Sequence, residues 1–302
     1  MPLLVMPLSL ARLYFLLQGT AGLLWWSGVF LFEPLRRATL GALPLELAWA
    51  DIPLFALASF LSAFWRPATW IVMAWAFLVT LAMFGYATGT REAAWGMLLM
   101  AAALGGTVLS ACLLLIGRVP TEWAIQGPFV FRTTPDASGH LARASRQLVA
   151  FWTIFLVVGP LIIDLIERRW RIDVEFSPVV RVLGGVLFLF ASSLGVASAL
   201  TMARLGEGTP PAAMAKRLVI AGPYRLVRNP MAVAGIGQGL AVGLMLGSWL
   251  VVVYALLGSL AWNWAIRPHE EADLASRFGS EFEAYRERVS CWWPKGYARR
   301  TS

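Results

Sequence analysis

The chain has 302 residues, of which 59% are hydrophobic and 14% charged, with a mean hydropathy of +0.68 and a formal net charge of +8. Soluble domains carry roughly 25% charged residues, so this composition excludes an ordinary soluble enzyme and a disordered regulator. The two cysteines, Cys112 and Cys291, stand far apart and outside any Cys/His cluster, which excludes a disulfide scaffold and argues against a zinc site.

A membrane-crossing helix needs about 20 mostly apolar residues. Six charge-free runs approach or exceed that length: 13–32, 67–90, 93–117, 147–163, 182–203 and 229–266. The last is too long for one crossing. Gly247 and Ser248 lie at its middle, so it is expected to form two helices joined by a tight hairpin. Residues 52–65 are a shorter apolar run, either a short span or a re-entrant piece. The fold class expected is therefore all-α: a polytopic membrane helix bundle of about eight transmembrane helices, or seven without residues 52–65. The first run is read as a retained helix rather than a removed signal, because no basic segment precedes it.

With eight crossings, 18 of the 25 Lys and Arg residues fall on the side that holds both termini. The positive-inside rule makes that side cytoplasmic, and the positive charge then orients the chain rather than binding nucleic acid. Lys216 and Lys295 are the only lysines, a bias that points to a GC-rich bacterial genome and so to an inner-membrane location. No charge falls within the predicted spans, so no polar mid-membrane path of the kind transporters use is evident. Chemistry is expected at the interface.

Two cytoplasmic stretches carry the polar chemistry. The first, residues 204–231, contains Gly206-Glu207-Gly208, Gly222-Pro223-Tyr224 and Arg225, then Arg228-Asn229-Pro230. Asn229 followed by Pro230 fits an N-cap and first turn opening the seventh helix. Arg225 and Arg228 beside that N-terminus form a positive pocket suited to a carboxylate or phosphate, or to lipid headgroups. The second stretch, residues 267–294, begins with Arg267, Pro268 and His269, where Pro268 is expected to break the eighth helix. Glu270 and Glu271 then open a new helix, and adjacent helical residues lie about 100° apart, so one of the two is expected to point inward. Leu274, Phe278, Phe282, Tyr285 and Val289 lie on an apolar stripe that Gly279 interrupts. This is expected to be a cytoplasmic amphipathic C-terminal tail ending at Trp292-Trp293-Pro294. His269 neighbours the glutamates and could bond to them. An even number of crossings separates the two stretches, so they can meet.

Gly235, Gly239, Gly243 and Gly247 repeat every four residues along the seventh helix. They favour close helix packing, against the eighth helix or against a second copy of the chain in a homo-oligomer, over a nucleotide-binding glycine loop.

Taken together, Arg228-Asn229-Pro230, Glu270-Glu271, Phe278-Gly279, Tyr285 and Pro294 resemble the membrane methyltransferases typified by isoprenylcysteine carboxyl methyltransferase and the phospholipid methyltransferases. Gly206-Glu207-Gly208 resembles the GxG that precedes this region in related phospholipid methyltransferases. Asn229 stands where that family carries His, and Ala232 where it carries Tyr. The resemblance covers residues 181–294. It divides the chain into N-terminal helices of unknown role (1–180), a methyltransferase-like core (181–294) and a basic tail (295–302).

The resemblance implies S-adenosylmethionine as cofactor. The cofactor-binding set it implies is Gly206, Gly208, Tyr224, Arg225, Arg228, Asn229, Pro230, Glu270 and Glu271, with Arg267 and Glu271 as catalytic residues. The arginines would take the cofactor carboxylate, and the glutamates its ammonium or ribose hydroxyls. Arg267 would position an anionic acceptor or pair with Glu271. The partners implied are membrane lipids and a lipophilic or lipid-modified acceptor, an isoprenylcysteine carboxylate or a lipid headgroup. Two alternatives stay open: an NADPH-dependent reductase of the steroid 5α-reductase type, and a non-enzymatic transporter or scaffold.

Overall fold

The computed structural model describes residues 8–122, 146, 149–205 and 217–294. Every described element is helical. The chain forms two units: Met1–Pro120 with Arg168–Ile172, and Thr121–Glu167 with Asp173–Ser302.

In the first unit, α1 (Leu8–Leu31) turns sharply at Phe32 into α2 (Glu33–Thr39), a bend of 118° where Pro34 opens the second helix. There follow α3 (Leu45–Ser62), α4 (Ala68–Thr90) and α5 (Ala94–Ile116). Residues 52–62 of the predicted run 52–65 thus belong to an apolar helix of 18 residues that includes the polar positions Glu46 and Asp51, and the helix ends at Ser62. Its middle, Ile52–Leu57, widens into a π-helical turn at Pro53, where proline cannot donate the regular α-helical bond. The buried face of α1 runs through Ala11, Phe15, Gln18, Gly22, Trp26 and Val29, the three-and-four spacing of one helix face. A side chain at Gly19 would come within 2.8 Å of Phe60, so α1 and α3 pack closely. Several polar side chains in this apolar unit bond to one another, which satisfies them in hydrocarbon surroundings. Gln18 donates to Ser59 at 3.0 Å and accepts from Thr107 at 3.0 Å, while Trp26 and Trp75 both donate to Asp51, at 2.8 and 2.7 Å. An ionisable side chain therefore lies inside an apolar helix, at Asp51, one residue ahead of the run 52–65.

In the second unit, α6 (Val149–Arg169) leads to α7 (Pro178–Leu205), α8 (Pro230–Leu246), α9 (Trp249–Ala261) and α10 (Arg267–Arg288). The long run 229–266 divides where expected. Gly247 adopts a left-handed φ of +73°, and Ser248 caps α9 by accepting from Val251 N at 3.2 Å. Buried Glu167 completes that cap, accepting from Leu250 N at 3.1 Å and from the Ser248 hydroxyl. Along the glycine stripe, side chains at Gly239 and Gly243 would meet Ala255 at 3.0 Å and Val252 at 2.8 Å. This part of the stripe is filled by α9 of the same chain. Gln238 of α8, buried, donates to Ser192 of α7 at 3.0 Å.

Six described helices are long and apolar enough to cross a membrane, or seven if α1 and α2 make one bent span, and α8 is a shorter apolar helix of 17 residues. This is a multi-pass integral membrane protein. Pro268 does not break the chain: a π-helical turn, Trp262–Ile266, carries α9 directly into α10 and absorbs the proline.

Candidate active site

The site is built where α7 ends, α8 begins and α10 passes. Gly222 has a φ of +55°, a conformation that favours glycine, and opens the short 3-10 turn Gly222–Arg225. This turn sets Tyr224 inward, 3% exposed, and leaves Arg225 outward, its Nε 3.4 Å from the Ile220 carbonyl oxygen. Asn229 then caps α8, its Oδ1 accepting from Ala232 N at 3.1 Å, and Pro230 occupies the first turn, fully buried.

On the facing helix, both glutamates line the same cleft, with different partners. Glu270 is 4% exposed and accepts from Asn229 Nδ2 at 3.1 Å. Glu271, about a quarter exposed, pairs with Arg228 Nη2 at 3.1 Å and lies 4.0 Å from Arg267 Nε. The π-helical turn ahead of α10 sets the phase at which the tandem acids meet the segment of Arg228 and Asn229. A turn closed i to i+5 holds an extra residue, which rotates the residues beyond it by about 100° relative to an uninterrupted α-helix.

The cleft is partly open to solvent. Its polar wall is Tyr224, Arg228, Asn229, Arg267, Glu270 and Glu271, and its apolar wall includes Met202, Leu274 and Phe282. Four buried atoms on its lining have no hydrogen-bond partner: the Tyr224 hydroxyl, Nε and Nη1 of Arg228, and Nε of Arg267. Unsatisfied buried donors are costly, at roughly 1–3 kcal/mol each, and concentrate where a ligand completes the set. Burial, followed by the nearby Glu270 charge, pushes the Tyr224 hydroxyl well above its ordinary range, so it remains a donor.

Several expected residues converge: Tyr224, Arg228, Asn229, Arg267, Glu270 and Glu271 line one cleft, and Pro230 supports it. Arg225 does not line it. Gly206 and Gly208 lie outside the described residues. His269 bonds Thr121 Oγ1 at 2.8 Å rather than the glutamates. Sequence reasoning missed the contribution of the chain beyond α10. Tyr285, read there as part of an apolar stripe, also donates its hydroxyl to the Tyr224 carbonyl at 2.6 Å. The carbonyls of Ser290 and Cys291 accept from the backbone N–H groups of Arg228 and Asn229. Cys291 lines the cleft, and burial pushes its thiol above the usual range. No periodicity or motif announces backbone carbonyls as site components.

Residues 179–281 match the family model described as phospholipid methyltransferase, the family group that the motifs resemble. The matched segment runs from α7 into α10 as far as Glu281, the helices that build the cleft. No curated protein and no solved structure matches the chain.

Proposed function

We propose that the chain transfers a methyl group from S-adenosylmethionine to a lipophilic acceptor at the cytoplasmic membrane interface. The observation that carries this reading is the set of unpartnered donors on Arg228 and Tyr224 beside Glu270 and Glu271, inside the segment matched by the phospholipid methyltransferase family. The donor set fits the cofactor's chemistry, which combines a carboxylate with an ammonium and ribose hydroxyls.

When bound, S-adenosylmethionine supplies a methyl group already made electrophilic by a sulfonium. The chain's own residues bind, orient and exclude water. Arg228 offers Nε and Nη1 to a carboxylate. Glu270 and Glu271 accept from ammonium or hydroxyl groups. Tyr224, held neutral, donates one hydrogen bond from the cleft wall. Met202, Leu274 and Phe282 keep the surroundings dry. Arg267 orients an anionic acceptor and steadies Glu271. The acceptor is a lipid headgroup or a lipid-anchored carboxylate, and it reaches the cleft from the bilayer in which the apolar helices α7, α8 and α9 sit.

The test is binding followed by transfer. The purified chain in nanodiscs is heated with S-adenosylhomocysteine or with NADPH, and total membrane lipid is then incubated with radiolabelled S-adenosylmethionine. Stabilisation by S-adenosylhomocysteine and labelled lipid are expected, and both are expected to drop in Glu270→Gln and in Glu271→Gln. Stabilisation by NADPH alone would overturn the reading in favour of a reductase.

A further inference from the structure

Beyond α10 the chain turns back over the cleft. Val289 leaves the helix in an extended conformation, φ −118° and ψ 125°. The Ser290 carbonyl then accepts from Arg228 N at 2.9 Å, and the Cys291 carbonyl from Asn229 N at 3.4 Å. Two consecutive backbone bonds fix where Arg228 and Asn229 stand, and these are the residues whose side chains meet Glu271 and Glu270. The next residue, Trp292, donates its indole N–H to Asn263 Oδ1 at 2.9 Å. Asn263 lies inside the π-helical turn that sets the rotation of the two glutamates. One side-chain bond therefore links the strap that holds the cation and the cap to the turn that aims the acids.

We propose that Trp292 is a positioning residue: its indole N–H, held by Asn263, keeps the strap Ser290–Cys291 on Arg228 and Asn229 and so sets the spacing of the cationic and acidic walls of the cleft. The proposal rests on the methyl-transfer reading for its ligand, but its geometry can be tested without it. The bland role for a tryptophan here is an interfacial anchor, which needs the ring and not the bond to Asn263. Trp293, its neighbour, is 81% exposed and has that role available to it.

The experiment uses the full chain with Cys112→Ser, so that Cys291 is the sole thiol, reconstituted in nanodiscs. Trp292→Phe, Asn263→Leu, Asn263→Asp and the Phe/Leu double variant are compared in two assays. One is the rate of Cys291 alkylation by iodoacetamide, which reports strap opening. The other is the dissociation constant of S-adenosylhomocysteine. Trp292→Phe and Asn263→Leu are each expected to raise both quantities about fivefold to tenfold, the range for loss of one buried hydrogen bond. Asn263→Asp keeps an acceptor oxygen and is expected to stay within about twofold of the parent, and the double variant to be no worse than either single one. Alkylation unchanged in Trp292→Phe overturns the proposal, as does an Asn263→Asp variant indistinguishable from Asn263→Leu. Failure of the parent chain to bind S-adenosylhomocysteine would overturn the cofactor reading instead, while the alkylation series still decides whether Trp292 holds the strap.

Discussion

Asn229 donates from Nδ2 to Glu270 Oε2 at 3.1 Å while its Oδ1 caps α8 by accepting from Ala232 N, also at 3.1 Å. One amide thus joins the start of a membrane helix to a buried carboxylate on another helix. An amide can do both because it carries a donor and an acceptor on one side chain. Asn229→Ala is expected to lower stability by about 1 kcal/mol through loss of the cap. Asn229→Asp keeps the cap but sets a second carboxylate against Glu270. It is expected to melt below the parent because of that repulsion, and to bind S-adenosylhomocysteine much more weakly. Thermal melts with and without that ligand separate the two effects.

Arg228→Lys retains the charge that faces Glu271 but removes the planar fork whose Nε and Nη1 are unpartnered. A lysine cannot bind a carboxylate in bidentate fashion. Affinity for S-adenosylhomocysteine is expected to fall about tenfold or more, the scale of a lost charge-assisted hydrogen bond. Melting of the ligand-free protein should change little, which calorimetry on both forms will check.

Tyr224→Phe should act in opposite directions with and without ligand. The hydroxyl is buried and unpartnered, so its removal is expected to leave the ligand-free protein as stable as before, or more so. The same change is expected to weaken S-adenosylhomocysteine binding. Because burial and Glu270 raise the hydroxyl's pKa above the ordinary value of 10.0, the folded protein keeps this group protonated where the unfolded chain would ionise. Its contribution to stability is therefore fully present below about pH 10 and falls at higher pH. Melting temperature against pH from 7 to 11, parent against Tyr224→Phe, reads this out: the parent should lose more at the alkaline end.

Gly243→Val places a branched side chain where a Cβ alone would lie 2.8 Å from the Val252 backbone nitrogen. The hairpin of α8 and α9 must separate to admit it. A destabilisation of roughly 1–3 kcal/mol is expected, as for overpacking generally. Gly258 has no neighbour within 4 Å of its Cβ direction, so Gly258→Ala is the matched control and should be tolerated. Melting in detergent and gel-filtration profiles compare the two.

Much of the design was legible in the residues. Long charge-free runs can satisfy their backbone only as helices in a bilayer, so composition alone indicated an all-helical membrane protein. Gly247-Ser248 marked the hairpin and Asn229-Pro230 marked a cap, because those residue types serve local backbone needs wherever they occur. Rotation and closure were decided by tertiary structure. Pro268 looked like a helix end, yet the π-helical turn Trp262–Ile266 carries the helix through it and aims both glutamates into one cleft. Arg225 and Arg228 are alike in sequence, but the 3-10 turn sends one outward and leaves the other facing Glu271. The strap at Ser290–Cys291 acts through backbone carbonyls, which every residue carries, so no side-chain pattern could reveal it. Local chemistry is written residue by residue, whereas the phase between distant helices depends on how the whole unit packs.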